Sequence, residues 1–337
     1  MSDSEQMMTA LDNRVRRRDE RRDFFKRAMG AAALGAGAFA FASKAAAQSA
    51  GELDVLNFAL NLEYLEAQFY LYAANGTGLP AAQLTGTGTQ GAVQITAGAM
   101  GQPRKVTFAD PIVSQYAQEI AADEAQHVAF LRTALGATNA VAQPALNISG
   151  GPGGAFSAAA AAAGVPNPTM FDPYANDDNF LLSAFIFEDV GVTAYKGAAS
   201  ALINNKTFLQ AAAGILAVEA YHSAIVRTTL YARGAQTGSN IYQLVQGISN
   251  ARDTVDGSAM DKDQGIAPVT ITATTSAGAN QSLQASNIVP VDNNGLAYSR
   301  STNEVLHVVY LTNAAATMGG FFPAGLNGNI RAATAVS

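Results

Sequence analysis

Four stretches of the chain repeat their hydrophobic positions with the period of an α-helix, and each puts a charged residue on its apolar stripe. In the third, Leu181, Ala184, Glu188, Gly191, Tyr195, Ala198 and Leu202 follow at alternating three- and four-residue steps. That spacing gathers them on one helix face. In the fourth, Phe208, Ala212, Ile215, Glu219, His222 and Val226 do the same after a break at 204–206. The first stretch, 53–74, carries Leu56, Leu60, Glu63, Ala67 and Tyr70, and Asn75-Gly76 ends it. The second opens at Asp110-Pro111, a capping residue followed by proline in the first turn. Its stripe is Val113, Ala117, Ile120, Glu124, His127 and Leu131, and Gly136 closes it.

The segments between these stretches lack a helical period. Residues 76–110 are rich in Gly and Thr and read as a long loop, with a short hairpin pairing 93–95 with 105–108. Residues 137–178 hold Pro and Gly clusters around one alanine run, 156–163. That length suits a crossover between the second and third helices rather than a tight turn. Beyond Gly234 the pattern predicts a short helix at 241–252, loops with a few β segments over 256–295, a last helix at 302–313 and a compact turn at 319–323. The expected fold is all-α: a four-helix bundle over 52–236 with a long crossover, followed by a loop-rich C-terminal extension over 237–337.

Residues 1–47 read as an address rather than structure. A basic stretch containing Arg21-Arg22-Asp23-Phe24-Phe25-Lys26 precedes a weakly apolar Ala/Gly/Phe run, and Ala45-Ala46-Ala47 supplies small residues at a cleavage site. The Arg-Arg-x-Phe-Phe-Lys core resembles a twin-arginine signal, departing from the usual form at Glu20 and Phe25. The expectation is export in the folded state by the twin-arginine machinery to the periplasm or another extracytoplasmic space, with a metal loaded before crossing.

Charge and composition narrow the function. Nine of the twenty Lys and Arg and six of the twenty-six acids lie in 1–47, leaving residues 48–337 about nine charges negative. Nucleic acid and anionic membrane surfaces are poor partners for such a chain. Beyond the signal, no segment is expected to span a bilayer. There is no cysteine, which removes disulfides, thiol nucleophiles, iron–sulfur clusters and Cys-ligated zinc from consideration.

The candidate chemistry lies on the stripes. In order, the four helices offer Glu63, then Glu124-x-x-His127, then Glu188, then Glu219-x-x-His222. An ionised carboxylate in an apolar core is costly unless it is paired or metal-bound. One Glu from each of two helices and a Glu-x-x-His from each of the other two is the ligand set of a dinuclear site in a bundle core. Residues three apart project about 60° apart on a helix, so one Glu and one His can reach the same ions. Hard carboxylates with one imidazole per ion suit two iron or two manganese ions better than copper. Only three histidines are present, and two fall in this motif; His307, alone in the extension, reads as structural or exposed. Glu66, one turn beyond Glu63, is the rival ligand on the first helix. Glu63 is preferred because it keeps the seven-residue spacing to Tyr70 that Glu188 keeps to Tyr195. Tyr70 and Tyr195 are candidates for bonding ligand carboxylates, or for a redox role. Asp123 and Asp189 flank ligands but project about 100° away, and are expected to be solvated or to back a ligand.

At these residues the chain resembles the ferritin-like proteins. Within that superfamily, 62–70 (Leu-Glu-Tyr-Leu-Glu-Ala-Gln-Phe-Tyr), 187–195 (Phe-Glu-Asp-Val-Gly-Val-Thr-Ala-Tyr) and the Gly-Gly-Phe-Phe-Pro turn at 319–323 are similar to the desiccation-related branch. The resemblance implies a di-iron or di-manganese bundle with oxygen, peroxide or iron-oxidising chemistry, in protection against drying or oxidative stress. The desiccation-related branch implies much less, its activity being poorly defined, and the competing reading is a non-enzymatic stabilising protein with a structural or empty site. The chain lacks the cysteine-bound iron domain of rubrerythrins, and its Gly-rich insertions argue against a ferritin cage.

Overall fold

A computed structural model describes residues 50–95, 104–257, 260–274, 278 and 280–336. The expected signal at 1–47 lies outside the described residues. Seven α-helices occur among those described: α1 Ala50–Asn75, α2 Pro111–Leu135, α3 Ala155–Ala162, α4 Asp177–Ala198, α5 Lys206–Gly234, α6 Ile241–Asp256 and α7 Thr302–Tyr310. Helices α1, α2, α4 and α5 form the bundle. α1 packs along α2, and α4 along α5. Tyr70 of α1 reaches Glu188 of α4 while Tyr195 of α4 reaches Glu63 of α1, so α1 and α4 run in opposite directions.

Local signals set the helix ends. The Asp110 carboxylate accepts from Ile112 N–H with Pro111 at the first turn, and Asn176 and Asn205 accept from Asn179 and Phe208 at the starts of α4 and α5. A single 3₁₀ turn, Ala199–Leu202, joins α4 to α5. The α2–α4 connection is the long crossover, and it carries α3. Phe156 of α3 enters an aromatic cluster with Phe69, Phe187 and Phe321, with ring centroids 4.9–5.7 Å apart.

Two expectations about pairing and membrane hydropathy are corrected. Strand β1 (Val93–Gln94) does not form a hairpin with 105–108; it pairs in parallel with β2 (Leu146–Asn147) in the crossover. Val106 N–H instead donates to Ala73 O at the end of α1. The expectation that no segment is long and apolar enough to span a bilayer also fails, because α5 meets that test. Its apolarity has a different origin: α5 buries Phe208, Ala212, Ile215 and Val226 in the bundle, and Glu219, His222 and Arg227 are buried beside them.

The extension packs closely on the bundle. Its antiparallel strands β3 (Val269–Thr274) and β4 (Asn280–Ala285) form an exposed hairpin. α7 opens with a capping box between Ser301 and Glu304. It ends at Tyr310, short of the expected 313, because Leu311 turns left-handed with φ 55°. Gly320, at φ 48°, brings its backbone against Val309; a Cβ there would lie 2.6 Å from the Val309 carbonyl. Further on, Asn327 N–H donates to Asn61 Oδ1 at 3.0 Å, Asn61 Nδ2 donates to Asn327 O at 2.9 Å, and Asn329 reaches Asp54 at 2.8 Å. Of the two readings for His307, structural or exposed, the structure takes the first: it is fully buried and sits 2.6–2.7 Å from the carbonyls of Thr312 and Thr334.

Candidate metal centre

The inward stripes of the four bundle helices meet at one level. Glu63, Glu124, His127, Glu188, Glu219 and His222 are all buried, the most exposed being His127 at 8 %. Glu63, Glu124, His127 and Glu219 can each offer one atom within 4.8 Å of the others, and so can Glu124, Glu188 and His222. Glu124 belongs to both groups, and each group holds one imidazole. His127 Nδ1 lies 3.1 Å from Glu63, 3.5 Å from Glu124 and 3.7 Å from Glu219. On the other side, His222 Nδ1 lies 3.0 Å from Glu124 and 3.6 Å from Glu188. The two rings stand 6.3 Å apart.

A third group brings in Glu66 with Glu188 and Glu219. Both Glu63 and Glu66 are buried, so α1 turns two carboxylates into the bundle. They are three residues apart, and their shared face is the geometric reason.

The tyrosines cross between helices. Tyr70 of α1 donates its hydroxyl to Glu188 of α4, and Tyr195 of α4 donates to Glu63 of α1. Burial, reinforced by the neighbouring Glu188 and Glu63 respectively, pushes both phenols well above their usual range. They therefore remain O–H donors at neutral pH.

Electrostatics in the cluster follow from four helices aiming acids at one another. Burial raises Glu63 to about 7, against the pull of His127. Burial likewise raises Glu188 to about 8, against the pull of His222. Glu66 and Glu219 are driven well above the carboxylate range by burial and by neighbouring carboxylates. Burial opposes the charge on Glu124 too, but His127 and His222 flank it and hold it below its ordinary value. Burial works against protonation of the imidazoles, but Glu63 and Glu124 lift His127 to about 11; Glu188, Asp123 and Glu124 lift His222 to about 10.

The donor set fits a pair of hard cations. Among the described residues, both oxygens of Glu124, one oxygen each of Glu66, Glu188 and Glu219, and Nδ1 of His222 are buried with no hydrogen-bond partner. The 3.0 Å approach of His222 Nδ1 to Glu124 is not aligned as a hydrogen bond. Six unpartnered lone-pair atoms converging in a dry core would be costly if left so. Cations would satisfy the five on Glu124, Glu188, Glu219 and His222, and carboxylates with one imidazole per nest are the donors iron and manganese take.

Of the two flanking acids, Asp123 backs a candidate ligand, with Oδ2 3.2 Å from Nε2 of His222. Asp189 departs from the solvated alternative. It is buried and accepts from Ser223 at 2.6 Å, Arg227 at 2.8 Å and Arg252 at 2.9 Å. Burial opposes its charge, yet the two guanidiniums hold it below the usual carboxylate value. Arg227 also donates to the carbonyls of Gln264, Gly265, Asn287 and Ile288, which fastens the extension to α5. Arg300 is fully buried between Asp256, Asp263 and Thr193. The sequence pattern missed this second charged layer; its one visible signal was Arg227 beside Val226 on the inward stripe of α5.

Comparison with known proteins agrees with this architecture. Residues 51–232 match the family described as the ferritin-like domain. The chain is 28 % identical over 288 residues to the ferritin-like catalase Nec2 of Nesocodon mauritianus, covering 83 % of this chain and 84 % of that protein. It is 28 % identical over 260 residues to the desiccation-related protein PCC13-62 of Craterostigma plantagineum, covering 76 % of each. No solved structure matches significantly. With more than half its length matched, the chain belongs to the ferritin-like domain family.

Proposed function

We propose that the chain is an exported dinuclear metal protein, holding two iron or two manganese ions, that disproportionates hydrogen peroxide. The observation that carries this reading is Glu124, buried between two nests of donors with both carboxylate oxygens unpartnered. His127 with Glu63 and Glu219 would hold one ion, and His222 with Glu188 the other; Glu124 would join them. When bound, the ions supply the redox change by which two peroxide molecules become two water molecules and dioxygen.

The chain's own residues set the conditions for that change. The bundle core keeps bulk water from the site. Tyr70 and Tyr195 each fix the carboxylate on the opposite helix and act as positioning residues. Asp123 orients the His222 ring through its remote nitrogen. The relative named a catalase supports peroxide as the substrate over other oxygen species. The export reading rests on residues 1–47 and is tested by cell fractionation: replacing Arg21 and Arg22 with Lys should leave the protein in the cytoplasm.

The deciding experiment is elemental analysis of protein purified after native export, followed by an oxygen-electrode assay with peroxide. Close to two Fe or Mn per chain with oxygen release supports the proposal, and Glu124→Ala should abolish both. Metal-loaded protein without oxygen release would overturn the peroxide reading. It would favour the second reading, a non-enzymatic stabilising protein, which the equal identity to a desiccation-related protein supports.

A further inference from the structure

Two halves of the bundle repeat one another, and the repeat breaks at one place. Glu63 and Tyr70 on α1 answer to Glu188 and Tyr195 on α4, and Glu124-x-x-His127 on α2 answers to Glu219-x-x-His222 on α5. Three residues past the first Glu of each pair, α1 carries Glu66 but α4 carries Gly191. A side chain at 191 would collide with Glu219, since a Cβ there would lie 2.3 Å from Glu219 Oε2.

The space beside this break is a small void between α1, α4, α7 and the 319–323 turn. It offers about 10 Å³ of room for the centre of a water molecule. Leu65, Val190, Val309 and Phe321 supply apolar wall, and Glu66 is the ionisable residue that borders it. Glu66 is 7 % exposed, and its Oε2 has no hydrogen-bond partner. The same carboxylate groups with Glu188 and Glu219 in the candidate metal centre. One residue thus faces both the void and the cluster.

We propose that this void is a binding subsite for a small neutral oxygen species, hydrogen peroxide in the first instance, next to the metal centre, with Glu66 as its polar anchor and the C-terminal extension as its outer wall. Room for about one water centre admits a molecule of roughly one or two non-hydrogen atoms. The apolar walls disfavour ions, and a peroxide O–H can donate to the unpartnered Glu66 oxygen. Gly191 borders the void and leaves room for the Glu219 carboxylate to pack against α4. Val308, Val309 and Phe321 lie beyond the 51–232 segment that matches the family, so the subsite gives the extension a task. The choice of peroxide rests on the proposed function, whereas the pocket does not.

Two experiments on the whole protein separate these layers. Crystals pressurised with krypton, an apolar sphere little wider than dioxygen, should show an atom between Gly191 and Val309; an empty void under pressure overturns the subsite. Val309→Phe fills the void from the extension side and leaves the six residues proposed to hold the ions unchanged. With two metal ions per chain retained, kcat/KM for peroxide should fall about tenfold or more, and an unchanged kcat/KM overturns the subsite's role. Val309→Leu serves the same purpose if the larger ring prevents folding. Krypton bound in a protein that releases no oxygen from peroxide would retain the pocket and remove peroxide as its ligand, and the proposed function would fail separately.

Discussion

Gly191 and Glu219 meet so closely that no side chain fits between them: a Cβ at 191 would sit 2.3 Å from the Glu219 carboxylate. Gly191→Ala therefore has to move a carboxylate that belongs to two of the three candidate metal groups. The helix would tolerate alanine well by itself. The expected outcome is a folded protein whose metal affinity is weaker by about tenfold or more, measured by competition with a chelator. Unaltered affinity would show that Glu219 is not a ligand.

Asp123→Asn keeps size and hydrogen bonding at His222 Nε2 but removes the charge. Loss of such a partner behind a metal-bound imidazole costs about 10–100-fold in affinity. The effect should fall on one ion of the pair. Stepwise manganese titration followed by electron paramagnetic resonance should show one weakened and one unchanged binding event.

The tyrosines can be tested as a pair. Tyr195→Phe leaves a buried oxygen of Glu63 without its donor, and Tyr70→Phe does the same to Glu188. Each should lower stability by about 1–3 kcal/mol, read from urea denaturation. If positioning is their whole role, metal content persists and kcat falls modestly in both. Complete loss of turnover with full metal content would assign a redox part to the phenol.

Protons and metal compete for the same atoms. In metal-free protein, Glu63 at about 7 and Glu188 at about 8 stand above their unfolded values, so the folded state binds more protons than the unfolded one as pH passes from about 4.5 to 8. Stability contributed by these protons is present below that window and lost as pH rises through it. His127 and His222 act in the same direction, from about 6.5 up to about 11 and 10. Glu124 acts oppositely, but only below its ordinary value. The melting temperature of chelated protein should thus drop between pH 6 and 9, while the metal-loaded protein changes little. Parallel curves with and without chelator would contradict a cation-binding cluster.

Asp189 anchors the second charged layer. Asp189→Ala leaves Arg227 and Arg252 buried and short of a counter-charge, a change worth about 3–5 kcal/mol. Because Arg227 also grips the carbonyls of 264, 265, 287 and 288, the extension should loosen first. Limited proteolysis should cut the variant within 257–300 while the native chain resists.

What could be read in the sequence depended on whether a residue's role has a period. Glu63, Glu124, His127, Glu188, Glu219 and His222 stood out because burial in a helix recurs every three or four residues, and an acid on that stripe is conspicuous. The same logic could not separate Glu63 from Glu66, which share a face. It also could not find strand β1's partner: two-residue strands have no pattern, and Val93 meets Leu146 across the crossover. Arg227, Arg252 and Arg300 were illegible for another reason. Their partners are distant acids and main-chain carbonyls, and a carbonyl leaves no mark in a sequence. The apolarity of α5 was overlooked in the sequence, and length and mean hydropathy alone ignore what its apolar face packs against.

The paired bonds between Asn61 and Asn327 join positions 266 residues apart. A nascent α1 can coil as soon as it is made, but this contact cannot form until residue 327 has been synthesised and brought back. Closing so wide a loop is entropically expensive and comes late. Folding should therefore be slow and governed by topology, with this contact closing after α1 has formed. That interval is when a metal ion could enter without having to breach a finished core.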